Sequence, residues 1–507
     1  MGRWFVAALA LFAALWSTNE LLRSTDGLII EHYESGPIPI SVFRPDIQTP
    51  GPLVVVAHGF AGSRPMMQQF AVSLAQNGYL AATFDLSGHG RNRVPLTGDL
   101  QSIDGATQVL VNDIGVVVDA VRKRYETLPE GMAVVGHSMA SDLVVRYAQR
   151  DDSVMATVGV AMFSPAVTAT SPRNLLVING EWEPRLNEAG YDVLRQVTDE
   201  TEPSENVTYG SFETGTARRM VEADNTEHVG VLFSVESATA TVSWLNQVFT
   251  GNDAISHEPA TRGRWIILMV IGIVGLWWSL APLLPVVSFT DDKSGVSTLN
   301  TSLVIFIPML ATPLLLSLVN ISFLPVLVGD YLAVHLALYG LLTFLLTLFF
   351  RRRNNVLSSP VDKPRFLTSL LVVLLFSLPL GAALHWQVAS FIPTVERLPL
   401  LLAIGIGTLC WFVTDEWATR TSTTWRSAYP LSKIAFLLSL AIAVALDFDG
   451  LFFLLLIVPI MVPILIVFGL LSRWVYRSTG CALVAGVGNA LFLAWAIAVT
   501  FPWVGAS

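Results

Sequence analysis

The stretch Val134-Val135-Gly136-His137-Ser138-Met139-Ala140-Ser141 has the residue types and spacing needed for acyl chemistry. An apolar run stops at a small residue, a serine follows two positions later, and helix-compatible sequence continues from Asp142 to Arg150. That order predicts a strand, a sharp turn and a helix, with the serine hydroxyl at the tip. A hydroxyl at a helix start benefits from the helix dipole, and the Met139 amide can donate to a developing oxyanion. Crowding between strand and helix explains the small Gly136 and Ala140. One such string arises by chance in a long chain, but this one has company. Pro52 to Ala57 reads as a buried strand running into His58-Gly59-Phe60-Ala61-Gly62-Ser63, a glycine-rich turn that can aim the Phe60 amide into a pocket as a second donor. Tyr79 to Phe84 is a further strand, ending in Asp85-Leu86-Ser87-Gly88-His89-Gly90-Arg91. Asn174 to Asn179 is another, ending in Gly180-Glu181-Trp182-Glu183-Pro184. Thr226-Glu227-His228-Val229-Gly230 forms a polar loop before a helical run near Leu232.

These five motifs, nearly all at the ends of strands, resemble the α/β-hydrolase superfamily over roughly residues 28–250, in particular its lipase, esterase and proline-peptidase-like branches. The chain order serine, acid, histidine is that family's order. The resemblance implies a doubly wound, mostly parallel sheet. It also implies Ser138 as nucleophile, His228 as general base and then acid, Glu183 as the carboxylate that orients the histidine, and Phe60 and Met139 amides as the oxyanion hole. The chemistry agrees: a serine hydroxyl is a poor nucleophile until an imidazole takes its proton, and a carboxylate fixes the imidazole tautomer. Two departures stand out. Ala140 occupies a place where the family usually has glycine, and the acid is glutamate where aspartate is commoner, with Glu181 close enough to be a rival. His58 is expected to belong to the oxyanion turn, and His137 and His89 to hold their loops by hydrogen bonding.

A hydrophobic fraction of 53% and a charged fraction of 14% are too apolar for a wholly soluble chain of 507 residues. The excess is uneven. Residues 24–260 carry 29 acids against 14 bases, a balance of −15, whereas the remainder carries 10 acids and 16 bases. The acidic part is the expected hydrolase, and the rest reads as an all-α polytopic transmembrane bundle. Apolar runs of spanning length occur at Trp265–Val286, Leu303–Ile321, Tyr331–Phe350, Phe366–His385, Leu398–Val413, Lys433–Leu446, Leu451–Leu471 and Cys481–Thr500. The run Leu303 to Val328 reads as one tilted helix or a helix plus a re-entrant piece. Ahead of the hydrolase, Trp4 to Trp16 is short for a span and reads as an uncleaved signal anchor in preference to a cleaved signal peptide. The expected division is 1–23 anchor, 24–250 hydrolase, 251–263 linker and 264–507 transmembrane region.

Orientation follows from the bases. Arg351-Arg352-Arg353 through Lys363 and Arg365 form the strongest positive cluster. With the loops holding Arg420, Arg426 and Lys433, and Arg473 and Arg477, it is expected in the cytoplasm. The hydrolase and the loops near Asp330, Glu396 and Asp447 then face the other side. Arg262 and Arg264 run against this pattern. Cys410 and Cys481 both lie in apolar runs, so no disulfide supports the exported domain, and about 220 residues can bury a core without one. No zinc spacing, phosphate-binding loop or basic nucleic-acid patch appears, so no metal, cofactor or nucleic acid is expected. Asp330, His335, His385, Asp415, Glu416, Asp447 and Asp449 are ionisable groups in or near spans, mostly at helix ends where headgroups and water solvate them.

The reading is a membrane-anchored, extracytoplasmic serine hydrolase cleaving carboxylic esters, lipid or acyl, through an acyl-enzyme. The lipid bilayer and an acyl-ester substrate are its expected partners. An acyltransferase or a peptidase would use the same triad, and a non-catalytic scaffold on a transport or assembly protein is the alternative of another class. The strand Met155 to Phe163 is separated from Asn174 only by Ser164 to Arg173, with Pro165 and Pro172, so no helical cap fits there. The pocket is expected to be open unless the membrane half roofs it, with the loops near Asp330 and Asp447 as candidates.

Overall fold

In the computed structural model, residues 2–47, 49–99, 102–288, 297–353, 361–420 and 424–505 are described. They fall into two compact units. One comprises Leu15–Met269, Ala383–Thr394 and Thr500–Ser507, and the other Met1–Ala14, Val270–Ala382 and Val395–Val499.

The first unit is built on an eight-stranded sheet: β1 (Leu28–Ser35), β2 (Ile38–Pro45), β3 (Leu53–Ala57), β4 (Leu80–Phe84), β5 (Met132–His137), β6 (Val154–Val160), β7 (Leu175–Gly180) and β8 (Arg218–Ala223). Their order is β1-β2-β4-β3-β5-β6-β7-β8. β1 pairs β2, and β2 pairs β4, antiparallel; every other pairing is parallel. This is the expected α/β-hydrolase sheet. The central strands are Val-rich and, apart from Met155, buried, as strands covered on both faces must be.

Helices follow α1 (Gly2–Arg23) in the order α2 (Gln68–Gln76), α3 (Gln108–Arg124), α4 (Met139–Ala148), α5 (Pro184–Arg195) and α6 (Val235–Thr250). Val54, Val56, Ala133 and Val135 pack with Phe70 and Leu74 of α2 and Trp244 and Leu245 of α6. The alternate residues Leu53, Val55 and Val134 pack with Ile114 and Val117 of α3 and Leu143 of α4. Strand periodicity thus sorts one sequence into two cores, one on each face. The opening hairpin β1–β2 and the edge strand β8 go beyond the strands legible in the sequence. β1 mixes Glu31, His32 and Glu34 with apolar residues on an edge, and β8 carries two arginines, so neither presents an uninterrupted apolar run. Residues 161–174, between β6 and β7, contain no helix.

The remaining helices are α7 (Arg262–Leu280), α8 (Thr298–Leu316), α9 (Gly329–Arg353), α10 (Lys363–Gln387), α11 (Leu398–Thr419), α12 (Ala428–Leu446), α13 (Phe448–Thr479) and α14 (Ala482–Thr500). Among the described residues nine helices, α1 included, are long and apolar enough to cross a membrane. The short apolar run Trp4 to Trp16 extends through Ser17 to Arg23 as one helix, which supplies the length the run lacks alone. Beyond Leu316, residues 317–328 form no helix. The segment 354–360 of the strongest basic loop lies outside the described residues.

Within the helical unit one expectation fails. Asp415 and Glu416 are not solvated at a helix end but buried and paired, and Asp330 and His335 are buried as well. Lys433 bonds Asp415, while Arg420 (3.3 Å), the Tyr429 hydroxyl (2.7 Å) and the Ser472 hydroxyl converge on Glu416. Buried charge survives when each member finds a partner, and these two carboxylates each have at least one cation. Asp447 instead caps α13, accepting from the Gly450 amide at 3.1 Å.

A Cβ on Gly136 would sit 2.2 Å from the Ala140 carbonyl oxygen and 2.7 Å from a Val144 methyl. Gly136→Val is therefore expected to cost about 3 kcal/mol or more of stability, read as a fall in thermal midpoint together with lost protease resistance of the sheet unit. Unchanged stability would show that α4 does not press on β5 there.

Candidate active site

β5 delivers Ser138 to the point where the chain reverses into α4. The Ser138 backbone has φ 53° and ψ −120°, a region a residue with a side chain seldom adopts. Such a conformation costs on the order of 1–3 kcal/mol and persists only if its surroundings impose it. Here they do. The Ser138 amide donates to the Val160 carbonyl (2.8 Å), and the Ser141 hydroxyl (2.6 Å) and amide (2.8 Å) donate to the Ser138 carbonyl. Gly136 gives way to α4 on one side and Gly59 on the other, where a Cβ would lie 2.9 Å from the Ser138 Cβ. Ala140, at the position the resemblance marks for glycine, is fully buried and its methyl fits.

The loop after β8 brings His228 against the elbow. His228 Nε2 lies 2.7 Å from Ser138 Oγ, and its Nδ1 lies 2.6 Å from Glu183 Oε1. An ionised carboxylate only accepts, so Nδ1 carries the proton and Nε2 is left to accept from the serine hydroxyl. Glu183 stands at the start of α5, with its side chain 9% exposed against 27% for His228, and its second oxygen accepts from the Gly180 amide at 3.1 Å. The rival Glu181 faces elsewhere, accepting from the Asn225 amide at 2.8 Å. Ser138, Glu183 and His228 thus form one chain of hydrogen bonds, drawn from three separate strand ends.

The oxyanion candidates flank the serine. Met139 is the first residue of α4, where amides have no carbonyl partner within the helix. Phe60 lies in a turn closed by the Gly62 amide on the Gly59 carbonyl (3.1 Å), with Ala61 at φ 55°, the sign pattern of a type II turn.

The three histidines near the elbow act as struts. His58 Nδ1 donates to the Gly59 carbonyl at 2.8 Å while its Nε2 accepts from the Leu86 amide at 3.2 Å. His137 Nε2 donates to the His228 carbonyl at 2.8 Å, fixing the catalytic-loop candidate from below. Burial, reinforced by the neighbouring His228, pushes His137 down to about 3, and burial lowers His58 as well, so both stay neutral. His89 Nδ1 donates to the Ser87 carbonyl at 3.0 Å.

Two further carboxylates went unassigned in the sequence. Asp85, fully buried, accepts from the Arg64 amide (2.7 Å) and the Arg91 amide (2.9 Å), tying the oxyanion turn to the loop after β4. Gly90 lies so close that a Cβ would meet that carboxylate at 2.5 Å. Glu227 accepts from the Val229 (2.8 Å) and Gly230 (2.7 Å) amides and so shapes the turn that carries His228. The signal was present in each case: an acid at a strand end before two glycines, and an acid adjoining the histidine.

Residues 48–206 match the family model described as serine aminopeptidase, S33. No curated protein matches the chain. Among solved structures, similarity extends to an epoxide hydrolase from an endophytic Streptomyces (24% identity, 35% of this chain and 44% of that one, TM-score 0.22). It extends also to a methylesterase (16% identity, 48% and 60%, TM-score 0.34) and to a predicted CIB-like hydrolase from Thermoplasma acidophilum (12%, 42% and 93%, TM-score 0.31). The chain thus spans about half the length of the first two. The sheet unit has the α/β-hydrolase fold.

Glu183→Gln is expected to lower turnover about 10³- to 10⁴-fold, because the amide no longer holds the required imidazole tautomer. Glu181→Gln should change it less than about threefold. Steady-state kinetics of the two variants decide between the carboxylates, and a crippled Glu181→Gln beside a mild Glu183→Gln would reverse the assignment.

Proposed function

We propose that the protein is a membrane-anchored serine hydrolase that cleaves carboxylic esters through an acyl-enzyme, with its hydrolase domain outside the cytoplasm. The observation that carries the reading is the unbroken chain from Glu183 through His228 to Ser138. His228 Nε2 takes the hydroxyl proton as Ser138 Oγ bonds the ester carbonyl carbon. The resulting oxyanion faces the Met139 and Phe60 amides. Collapse breaks the carbon–oxygen bond to the alcohol, which leaves with the proton from His228. Water repeats the sequence in the second half, returning a carboxylic acid and free enzyme.

The family description favours a second reading, cleavage of an amino-terminal peptide bond by the same residues. Such a substrate brings a cationic amine that calls for a free carboxylate beside the triad. Of the acids near the triad, Glu227 has both oxygens on backbone amides, whereas Glu181 has one oxygen on the Asn225 amide and is exposed, so Glu181 is the carboxylate such an amine would meet. Turnover of alkyl esters against aminoacyl amides by the full chain separates the two. Ester preference supports the proposal, and preference for the amides replaces it.

The extracytoplasmic side is supported by order along the chain. The ends of α1, α7, α10 and α14 at residues 15–23, 262–269, 383–394 and 500–505 belong to the same unit as the sheet. Counting alternate crossings through nine spans brings those four ends to one side, and the basic C-terminal ends of α9, α11 and α13, with Arg351 to Arg353, Arg420 and Arg477, to the other, where positive charge accumulates in the cytoplasm.

Ser138→Ala or His228→Ala is expected to lower ester turnover by about four to six orders of magnitude with folding intact, and Ser138→Ala to abolish labelling by a fluorophosphonate. A folded wild-type protein that takes no label would point to the scaffold. For topology, a tag within 354–359 should be reachable only from the cytoplasm and one at Asn252 only from outside. Access to both from one side would overturn the orientation.

A further inference from the structure

The oxyanion turn runs from His58 into α2, and its last residues touch segments that the sequence places hundreds of positions away. The Ser390 amide, in the connection after α10, donates to Ser63 Oγ at 2.8 Å, and both serines are 2% exposed. Gln68 Nε2 donates to the Trp386 carbonyl at 3.2 Å. Arg262, the first residue of α7, joins four elements. Its guanidinium donates to Gln68 Oε1 (2.8 Å), to Gln387 Oε1 at the end of α10 (2.5 Å), and to Ser24 Oγ (2.5 Å) and the Leu21 carbonyl (3.4 Å) at the end of α1. Its own amide donates to Gln69 Oε1 at 3.1 Å. These acceptors are neutral, so the buried cation is held by geometry and not by a counter-ion. A guanidinium can fan donors toward several acceptors, whereas a lysine ammonium is a single point.

The second loop beside the turn is held in the same way. Past α14, the Trp503 amide donates to the Gly88 carbonyl (2.8 Å), and the Leu96 amide donates to the Trp503 carbonyl (2.8 Å). A Cβ on Gly88 would meet that carbonyl at 2.6 Å. Asp85 then links this loop to the Arg64 amide, next to Ser63.

We propose that Arg262, Ser63 and Ser390 are positioning residues for the oxyanion turn, so that the ends of the apolar helices set the geometry at which the Phe60 amide meets the developing oxyanion. The inference rests on the ester-hydrolase reading above. A superfamily cap would be inserted between β6 and β7, where this chain has no helix; here segment 383–394 bonds the end of the turn, and segment 500–505 bonds the loop beside it. The loops near Asp330 and Asp447, expected as roofing candidates, belong to the helical unit. Rate is sensitive to such placement: a displacement of about 1 Å costs on the order of 10²-fold, and loss of a whole oxyanion donor about 10²- to 10³-fold.

The test uses the full chain in lipid nanodiscs with a short alkyl ester, a fluorophosphonate and a trifluoromethyl ketone, which binds as a tetrahedral oxyanion. Ser63→Ala and Gln68→Leu are expected to lower kcat about 10- to 100-fold, with KM within about twofold and thermal midpoints near wild type. Affinity for the ketone should fall in parallel with kcat. Ser63→Thr, which keeps the hydroxyl, should restore most of the loss, and Arg262→Lys should behave like Gln68→Leu. If Arg262→Lys fails to fold, the Ser63 and Gln68 variants decide. Unchanged kcat in both, a loss confined to KM, or no rescue by threonine would overturn the positioning role while Ser138 labelling stands. Absence of labelling in the wild type would instead remove the underlying reading, and this inference with it.

Discussion

The tight passage of α4 across the end of β5 is the constraint on which the site depends. Gly136 has no room for a methyl because the Ala140 carbonyl occupies that space, and this closeness forces Ser138 to φ 53°. Without the strained turn the hydroxyl would lie along the strand, out of reach of a histidine arriving from the loop after β8. The strain is offset by the bonds to the Ser138 carbonyl and amide and by the apolar burial of both sheet faces. A rigid sheet core thus holds one residue in a conformation that it would abandon alone.

Around that point the polar groups divide into two kinds. Ser138, His228 and Glu183 keep an exchangeable proton path, with the histidine partly open to solvent. The surrounding His58, His137, Asp85 and Glu227 spend their hydrogen bonds on backbone groups of the loops. Neutral buried imidazoles suit this work, since each presents a donor and an acceptor at fixed angles without a charge to solvate. The helical unit solves a related problem with ionised groups. Asp415 with Lys433, and Glu416 with Arg420, are buried as pairs, whereas in an apolar setting either carboxylate alone would be costly.

Much of the sheet was legible because buried parallel strands are written as short apolar runs ending in glycine or polar turns. β3 to β7 announce themselves in this way. β1 and β8 do not, since edge strands tolerate charge and irregular alternation, and β2, an inner strand, is interrupted by Pro39, Ser41 and Arg44. Helix limits were legible where apolar composition ended abruptly. They failed for α1, where Ser17 to Arg23 continue the helix in polar sequence.

For the site, the sequence by itself determined the local chemistry: a serine at a strand-to-helix turn, glycines where the backbone must pass closely, and acids and histidines at strand ends. Each is a short-range fact, fixed by sterics within about ten residues. Only the tertiary structure decided which carboxylate meets the histidine, because Glu181 and Glu183 differ in the direction their backbone presents them and not in type. It alone also brought Ser390, Arg262 and Trp503 to the loops beside the serine. Contacts between residues 63 and 390 depend on how helices pack, and one chain's hydropathy pattern records which face is apolar without recording which neighbour covers it.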